Sequence, residues 1–326
     1  MKRVLVTGAS GFIGSNVVQQ ARLSGLEVRA FVRYNGKSDI GWLSDLPCLS
    51  DVDVFFGDIR DKESVKKAIE GCDAVINLAA LIGIPYSYRN PRSYLETNVQ
   101  GVINILESLR ESERDLKLVQ ISTSEVYGSA QFPLISESHP KLAQSPYAAS
   151  KTAADQFVLS YSQSFDLAAT IVRPFNTYGP RQSPRAFIPA VMTQILEGRE
   201  TLELGSLAPR RDLTFVSDTA RAILMALEAT NSDVWGTEIN LGTGIDLSMQ
   251  QVLEKIIEIT EYKGSVILDS QRVRPEASEV MRLTSDNQKA KTLLNWSPEF
   301  TLEDGLLQTF NWAKTQNRPS LSGYLI

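Results

Sequence analysis

Four polar residues follow a buried strand, at a point where the chain can carry out chemistry. Residues 115–121 read DLKLVQI, and their apolar side chains crowd together as in a strand that is covered on both faces. The next residues are Ser122, Thr123, Ser124 and Glu125. Hydroxyl groups can hold a substrate oxygen, and a carboxylate can remove a proton. The sequence therefore predicts a reactive cluster at the end of this strand.

A tyrosine and a lysine lie four residues apart in the stretch SPYAASK. We predict a helix over 145–164, so that Tyr147 and Lys151 share one face. A tyrosine pKa near 10 must fall by about 3 units, roughly 4 kcal/mol, before the phenol acts as a base at neutral pH. An ammonium group one turn away favours this shift. The hydroxyl of Thr123 or Ser122 would hold the substrate oxygen against this base.

A sheet must position these residues, and the first half of the chain predicts one. Short β-rich runs alternate with longer helical patterns, which favours parallel strands joined by crossover helices that cover both faces. The expected fold class is α/β, a doubly wound parallel sheet with a second, smaller α/β domain for the substrate. The expected strands are KRVLVTG, EVRAFVR, DVDVFFGD, AVINLAA, LKLVQIST and AATIVRP.

The domain boundary is expected where this alternation ends. After Pro174 prolines fall close together and the strands become short. We predict a first domain over 1–175, with about 212–245 returning to it. The second domain then comprises 176–211 and 246–326.

Three glycines follow the first strand in the stretch TGASGFIG. Gly8, Gly11 and Gly14 lie where the first helix begins. Glycine permits a tight turn and lets a pyrophosphate approach the backbone, and the free amides of a helix start favour negative charge. In this position the triplet predicts a Rossmann domain that binds NAD or NADP. A bound, positively charged nicotinamide would also help to lower the pKa of Tyr147.

The end of the second strand favours NADP over NAD. An acidic residue is common there when the cofactor has a free ribose 2′-hydroxyl. This strand ends instead in Arg33, and the next acid is Asp39. Asp58, after the third strand, is expected near the adenine, and Ala79 and Ala80 follow the fourth strand. NAD stays open as the alternative.

These motifs together resemble the extended short-chain dehydrogenase/reductase family, specifically its nucleotide-sugar epimerases, dehydratases and decarboxylases. The resemblance covers nearly the whole chain and implies a nucleotide-sugar substrate. In RPFNTYGPRQ it implies that Asn176 binds the sugar diphosphate. It also implies that Arg211 and Arg274 pair with the negative charge of this diphosphate. The full set of expected cofactor-binding residues is Gly8, Gly11, Phe12, Ile13, Gly14, Arg33, Asp58, Ile59, Ala79, Ala80, Asn98, Ser122, Tyr147 and Lys151.

Glu125 points to one reaction within this group. If Tyr147 removes the proton of a sugar C4 hydroxyl while the nicotinamide takes the C4 hydride, the resulting 4-ketone makes the C5 proton acidic. Glu125 can remove that proton, water then leaves from C6, and the stored hydride returns to C6. Inversion at C4 needs no such base. The sequence therefore favours 4,6-dehydration, with Thr123, Ser124, Glu125, Tyr147 and Lys151 as catalytic residues.

One position departs from many sugar 4,6-dehydratases. They have an aspartate that protonates the leaving water where this sequence has Ser124, and a serine is too weak an acid for that step alone. Either Glu125 both takes and delivers the proton, or a water relays it. The Thr-Ser-Glu form also resembles GDP-mannose dehydratases and glucuronate decarboxylases. The alternatives are therefore a UDP-glucuronate decarboxylase, a 4-epimerase or, more distantly, a dinucleotide sensor without activity.

A finer resemblance concerns the sugar. The stretches ALIGIPYSY, NTYGPRQSPRAFIP and RPEASEV resemble dehydratases that act on nucleotide-activated N-acetylglucosamine in bacterial legionaminic-type pathways. This resemblance implies that Ile84, Pro85 and Tyr86 line the sugar pocket. It also implies that Arg185 and Leu204 lie near the nucleotide.

The composition excludes several other classes of function. The net charge is −5 and no lysine or arginine block stands out, so neither nucleic acid nor membrane is an expected partner. No signal peptide or apolar span is recognised. Cys48 and Cys72 give no disulfide framework, which favours a reducing cytoplasm, and together with His139 they are too few for a metal cluster. The family resemblance implies a homodimer formed by helices around 91–110 and 145–162.

Overall fold

The largest sheet of the protein is parallel throughout. In the computed structural model, which describes residues 1–269 and 280–316, it has seven strands in the order β3-β2-β1-β4-β5-β6-β10. Every strand that was expected in the first half is present. The expected doubly wound sheet is confirmed. The strands, numbered in chain order, are β1 (Arg3–Thr7), β2 (Glu27–Arg33), β3 (Val52–Gly57), β4 (Ala74–Asn77), β5 (Lys117–Ile121), β6 (Ala169–Pro174) and β10 (Glu238–Leu241).

Helices cover both faces of this sheet because successive strand residues point to opposite sides. Val4 and Val6 pack with α1 and α8 on one face, whereas Leu5 packs with α2, α5 and α6 on the other. A π-helical segment, Leu95–Gln100, joins α4 to α5. The helices are α1 (Phe12–Leu23), α2 (Lys62–Ile69), α3 (Ile84–Arg89), α4 (Pro91–Tyr94), α5 (Gly101–Arg110), α6 (Pro146–Phe165), α7 (Phe187–Leu196), α8 (Val216–Glu228), α9 (Met249–Thr260), α10 (Gln288–Leu294) and α11 (Leu302–Lys314).

The strand order reverses between β1 and β4, which are neighbours in the sheet. From β1 the chain moves outward to β2 and β3, and then returns to β4 on the other side. A reversal of this kind leaves a crevice at the carboxyl ends of the two strands, where open α/β sheets bind their ligands. The glycine turn and the reactive cluster both lie at this edge of the sheet.

A smaller α/β region follows β6. One sheet has the order β11-β9-β13, with β7 also paired to β9, and β8 pairs with β12. Its apolar core contains side chains from α7, α9 and α11. The strands are β7 (Asn176–Tyr178), β8 (Thr201–Leu204), β9 (Arg210–Phe215), β11 (Asp246–Ser248), β12 (Ser265–Leu268) and β13 (Arg282–Leu283).

The segment 212–245 contributes to both regions. Its helix α8 and its strand β10 lie with the large sheet, whereas β9 pairs within the smaller sheet. Asp212 explains the position of β9, because its buried carboxylate accepts hydrogen bonds from Thr243, Gly244 and Ser285. The division into two domains itself stays a prediction. Among the described residues, no helix combines the length and the apolar character that a membrane span requires.

Candidate active site

The turn between β1 and α1 depends on three glycines. Gly8 has a φ of +64°, and a Cβ atom there would lie 2.8 Å from the backbone nitrogen of Ala79. The amide of Gly11 donates to the Gly8 carbonyl oxygen at 3.0 Å. A Cβ atom on Gly14 would lie only 2.2 Å from that same oxygen. Helix α1 can therefore pack onto the turn, and the turn onto β4, only while these positions lack side chains.

The start of α1 fits the pyrophosphate of a dinucleotide. Its N-cap, Gly11, makes no side-chain hydrogen bond, and the first turn has no acidic residue. The amides of Phe12, Ile13 and Gly14 have no carbonyl partner within the helix, as in any helix start. Such amides, together with the helix dipole, bind anions. The donors at this turn are therefore suited to NAD or NADP.

A short hydrogen-bond chain holds the carboxyl ends of three strands together beside this turn. The hydroxyl of Thr7 donates to Asn77 at 2.5 Å and accepts from the amide of Ala79 at 3.1 Å. The amide group of Asn77 donates to Gln120 at 2.7 Å. Ala79 and Ala80, which follow β4, are partly exposed at the crevice.

The residues expected near the adenosine lie at the ends of β2 and β3. Asp58 forms a bidentate ion pair with Arg60, with a closest distance of 2.6 Å, and this hydrogen bonding lowers the pKa of Asp58. Arg33 is exposed, and its charge also lowers the pKa of Asp58. Ile59 is buried, and its carbonyl oxygen accepts from Asn104. Their contacts with a cofactor stay predictions.

Helix α6 places Tyr147 and Lys151 on its inner face, as expected. The side chain of Ser145 caps the helix by accepting from the amide of Ala148 at 3.1 Å, and Pro146 follows at a favourable first position. Tyr147 is 8% exposed and Lys151 is 4% exposed. The ammonium group of Lys151 donates to the carbonyl oxygen of Ile121 at 2.5 Å. The lysine is therefore fixed to the end of β5, directly before the hydroxyl cluster.

The surroundings of Tyr147 and Lys151 disfavour charge on both. Burial raises the pKa of Tyr147, while a hydrogen bond with Thr123 lowers it and the Glu125 carboxylate raises it further. Burial lowers the pKa of Lys151 to about 8, although the Asp155 carboxylate acts in the opposite direction. The protein alone thus keeps Tyr147 as a neutral phenol at pH 7. The expected lowering of its pKa by Lys151 and nicotinamide concerns the cofactor complex and stays a prediction.

A tight turn carries the reactive cluster after β5. The side chain of Thr123 accepts from the amide of Glu125 at 3.2 Å and so begins a 3₁₀ turn over Ser124–Tyr127. Ser124 is 4% exposed, whereas Glu125 is partly exposed. Thr123 hydrogen-bonds to Tyr147, and Glu125, two residues further along the turn, is near enough for its charge to raise the pKa of Tyr147. The structure thus joins a hydroxyl, a carboxylate and a phenol at one edge of the sheet.

Ser122 points away from this cluster and into a buried ion network. Its hydroxyl donates to Asp155 at 2.7 Å, and the same carboxylate oxygen accepts from Arg173 at 2.8 Å. Arg173 also pairs with Glu238 at 2.5 Å. A buried carboxylate needs such partners, because removing one of them leaves an uncompensated charge. The expected contact of Ser122 with the cofactor is untested, and its hydroxyl is committed to Asp155.

Sequence reasoning missed Asp155 and Arg173, although two signals pointed to them. Asp155 lies four residues after Lys151, so it shares the helix face of Tyr147 and Lys151. Arg173 is the one charged residue of the buried strand β6, and both residues have 0% exposure. A charge in a buried strand requires a buried partner, and the inner face of α6 supplies it.

Asn98 lies in the π-helical segment and is 1% exposed. Its side chain accepts from the amide of Leu81 at 2.8 Å, and it donates to the Leu81 carbonyl at 2.9 Å and to the Ser150 hydroxyl at 2.9 Å. Both donors and the acceptor oxygen are therefore used within the protein. Asn98 fixes the chain after β4 to α6, and a direct contact with the cofactor stays a prediction.

Two of the expected diphosphate ligands lie on neighbouring strands of the smaller sheet. Asn176 begins β7 and Arg211 lies in β9, which pairs with it. The buried Nδ2 of Asn176 has no hydrogen-bond partner among the described residues, which suits a ligand contact. Arg211 is partly exposed, and its guanidinium donates to the carbonyl of Arg210. Arg274 and the RPEASEV stretch that contains it lie outside the described residues, apart from Val280.

The other residues expected near the substrate are dispersed. Ile84, Pro85 and Tyr86 form the start of α3, and Tyr86 is 47% exposed. Arg185 is exposed before α7. Leu204 is 2% exposed and packs in the core of the smaller region. Their roles stay predictions, and the packing of Leu204 gives it a structural function in any case.

Comparison with known proteins identifies the group to which this arrangement belongs. The family model described as GDP-mannose 4,6 dehydratase matches residues 5–309. The chain belongs to this family. A putative UDP-glucose 4-epimerase from Methanocaldococcus jannaschii is 31% identical, over 97% of this chain and 99% of that protein.

Solved structures of this family share the whole fold. A dTDP-glucose 4,6-dehydratase from Bacillus anthracis, in complex with NAD, has a TM-score of 0.85 and 28% identity, covering 97% of this chain and 98% of that one. A UDP-glucuronic acid 4-epimerase from Bacillus cereus, in complex with UDP-glucuronic acid and NAD, has a TM-score of 0.86 and 28% identity, covering 96% and 99%. The expectation of an enzyme from the nucleotide-sugar dehydratase and epimerase group is therefore confirmed.

Proposed function

We propose that this enzyme is a nucleotide-sugar 4,6-dehydratase that converts an NDP-hexose into its 4-keto-6-deoxy product. One observation supports the proposal: Thr123, which hydrogen-bonds to Tyr147, begins the turn that carries Glu125 at the carboxyl end of β5, so that a carboxylate lies within electrostatic range of the phenol base. Inversion at C4 requires the phenol and not the carboxylate. Elimination across C5 and C6 requires both.

Each residue has a defined task in this reaction. Tyr147 removes the proton of the C4 hydroxyl, while Thr123 holds the same oxygen. Lys151, anchored to the Ile121 carbonyl, would supply positive charge one helical turn from Tyr147. NAD or NADP, when bound, would supply a hydride acceptor for C4 and a hydride donor for C6, so that the reaction would consume no added reductant.

Glu125 then acts on the 4-ketone. The ketone acidifies the C5 proton, Glu125 removes it, and the C6 hydroxyl leaves as water. Because Ser124 is a weak acid and 4% exposed, we assign delivery of the proton to the leaving hydroxyl to Glu125 itself or to a water beside it. Asn176 and Arg211 would bind the diphosphate, with Arg274 as a further ligand.

We infer N-acetylglucosamine, carried on UDP or GDP, as the sugar. The support is the resemblance of the segments around Ile84, Pro85 and Tyr86 and around Arg185 to dehydratases of legionaminic-type pathways. Incubation with UDP- and GDP-N-acetylglucosamine should give products lighter by one water in mass spectrometry. Loss of carbon dioxide from UDP-glucuronate would support the decarboxylase instead. If none of these nucleotide sugars changes and Tyr147→Phe behaves like the wild type, the proposal fails.

We propose NADP as the preferred cofactor, with NAD as the alternative. The exposed Arg33 at the end of β2 supports this choice, because a guanidinium can pair with a 2′-phosphate. The related dTDP-glucose 4,6-dehydratase from Bacillus anthracis is in complex with NAD, which keeps the alternative open. Calorimetry on cofactor-free protein distinguishes the two. Arg33→Ala should weaken NADP binding about tenfold and leave NAD binding nearly unchanged.

We also propose a homodimer in the cytoplasm. Exposed apolar side chains near and on α6 support the dimer: Leu95 is 59% exposed, Phe157 39% and Phe165 53%. Cys48 and Cys72 are both free, which suits a reducing compartment.

A further inference from the structure

Tyr94 lies between the proposed base and the proposed sugar pocket. It ends α4 and is 1% exposed. The centroid of its ring is 6.3 Å from that of Tyr147, with an edge-on angle of 75°, and also 6.3 Å from that of Tyr86, at 48°. The edge-to-face arrangement with Tyr147 is a preferred geometry for two aromatic rings. One buried ring thus contacts both sides of the site.

The hydroxyl of Tyr94 adds a polar contact to the same segment. It donates to the carbonyl oxygen of Gly83 at 2.5 Å. Gly83 immediately precedes α3 and serves as its N-cap, with no side chain to restrain the turn. The position of Ile84, Pro85 and Tyr86 therefore depends on a hydrogen bond from outside their own segment.

Asn98, one turn further along, strengthens this connection. It binds both backbone groups of Leu81 and the hydroxyl of Ser150, and Ser150 in turn donates to the carbonyl of Tyr147 at 2.7 Å. These contacts link the residues after β4 to the first turn of α6. The connection runs through a π-helical segment, a feature that is frequent at functional sites.

We propose that Tyr94 is a positioning residue that fixes the segment 81–86 relative to the ring of Tyr147. The proposal rests on the proposed function and deepens it. A sugar held by this segment presents its C4 hydroxyl to Tyr147 only if the segment keeps its position relative to the phenol. Proton transfer requires the two oxygens to lie within hydrogen-bond distance. Displacement of a substrate by about 1 Å can reduce the rate on the order of 100-fold.

Two substitutions separate the hydroxyl from the ring. Tyr94→Phe keeps the ring and removes the bond to Gly83, so we expect faster hydrogen exchange in residues 81–89 and a KM that rises about fivefold at nearly constant kcat. Tyr94→Leu also removes the contact with Tyr147, so kcat should fall about tenfold or more. Tyr262→Phe is the matched control, because its hydroxyl also donates to a backbone carbonyl, that of Arg199, in the smaller region.

The measurements are steady-state kinetics with a nucleotide sugar that the wild type accepts, and exchange mass spectrometry on the purified proteins. A purely structural role would lower the melting temperature and the active fraction without raising KM, as expected for Tyr262→Phe. If the wild type is active and Tyr94→Phe matches it in both KM and exchange, the positioning proposal is overturned while the proposed function stands. If the wild type converts no nucleotide sugar, the proposed function fails first.

Discussion

In the proposed function, Glu125 is the residue on which the choice between dehydration and inversion at C4 depends. Its turn begins with Thr123, and its charge acts on Tyr147, so the carboxylate belongs to the same group of side chains as the base. In the proposed reaction Tyr147 acts before Glu125. Removing the carboxylate should therefore stop the reaction after the oxidation at C4 and before the C5 proton is removed.

Glu125→Gln tests this order of steps. We expect the formation of the dehydrated product to fall at least 100-fold, because an amide cannot remove the C5 proton. Reduction of the bound nicotinamide, followed by its near-ultraviolet absorbance, should persist. The matched control is Glu254→Gln, an exposed position on α9. Equal product formation by Glu125→Gln and the wild type would remove Glu125 from the mechanism.

Lys151 should make the stability of the protein depend on pH. Burial lowers its pKa from 10.5 to about 8, so between these values the unfolded chain binds more protons than the folded one. The free energy of unfolding therefore rises with pH between 8 and 10.5. Below pH 8 Lys151 is charged in both the folded and the unfolded state, and the folded state bears the full free-energy cost of the buried charge. Each pKa unit corresponds to 1.36 kcal/mol, which gives about 3 kcal/mol in all.

Urea unfolding of the wild type and of Lys151→Met checks this expectation. The free energy of unfolding of the wild type, minus that of the variant, should increase by about 3 kcal/mol from pH 8 to pH 10.5. Groups that titrate equally in both proteins cancel in the difference. A difference that does not change with pH would mean that the ammonium group is better solvated than its 4% exposure indicates.

At the level of elements, we propose that the junction of β1 with α1 binds the pyrophosphate of the cofactor. Gly14→Ala places a methyl group 2.2 Å from the Gly8 carbonyl oxygen, so α1 must move away from the turn. We expect cofactor affinity to fall at least tenfold and stability to fall by about 1–3 kcal/mol, as for other overpacked sites. Calorimetry with NAD and NADP and urea unfolding measure the two effects.

Gly71→Ala is the control for this substitution. Gly71 lies between α2 and β4, has a φ of +77°, and a Cβ atom there meets no other atom within 4 Å. The substitution Gly71→Ala should lower the free energy of unfolding by about 1 kcal/mol, because alanine disfavours this positive φ. It should leave cofactor affinity unchanged. If both alanine variants bind the cofactor equally well, the glycine turn is not the pyrophosphate site.

The elements that the sequence predicted are those with a local signal. Strands β1 to β6 are short apolar runs, and α6 was expected over 145–164 and is found at Pro146–Phe165. The position of β9 was not expected, because its buried residue Asp212 takes its donors from two distant segments, at Thr243 and Ser285. Tyr94 was missed for the same reason. Only the folded chain brings it against Tyr147 and Gly83.

At the scale of the whole molecule, the outer face of α6 carries the proposed dimer contact. Phe157 is 39% exposed on this face. Phe157→Glu should convert a dimer into a monomer at micromolar concentration, because a buried interface disfavours an unpaired carboxylate. Leu307→Glu, at a 47% exposed position on α11, is the control. Light scattering that shows a monomeric wild type would refute the dimer.

In the proposed reaction a hydride moves within one sugar, from C4 to C6. The most direct measurement uses UDP- and GDP-N-acetylglucosamine deuterated at C4, with the product examined by mass spectrometry and NMR. The proposed reaction predicts loss of one water and deuterium at C6. Deuterium that remains at C4, in a product of unchanged mass, would contradict the proposal and indicate an epimerase instead.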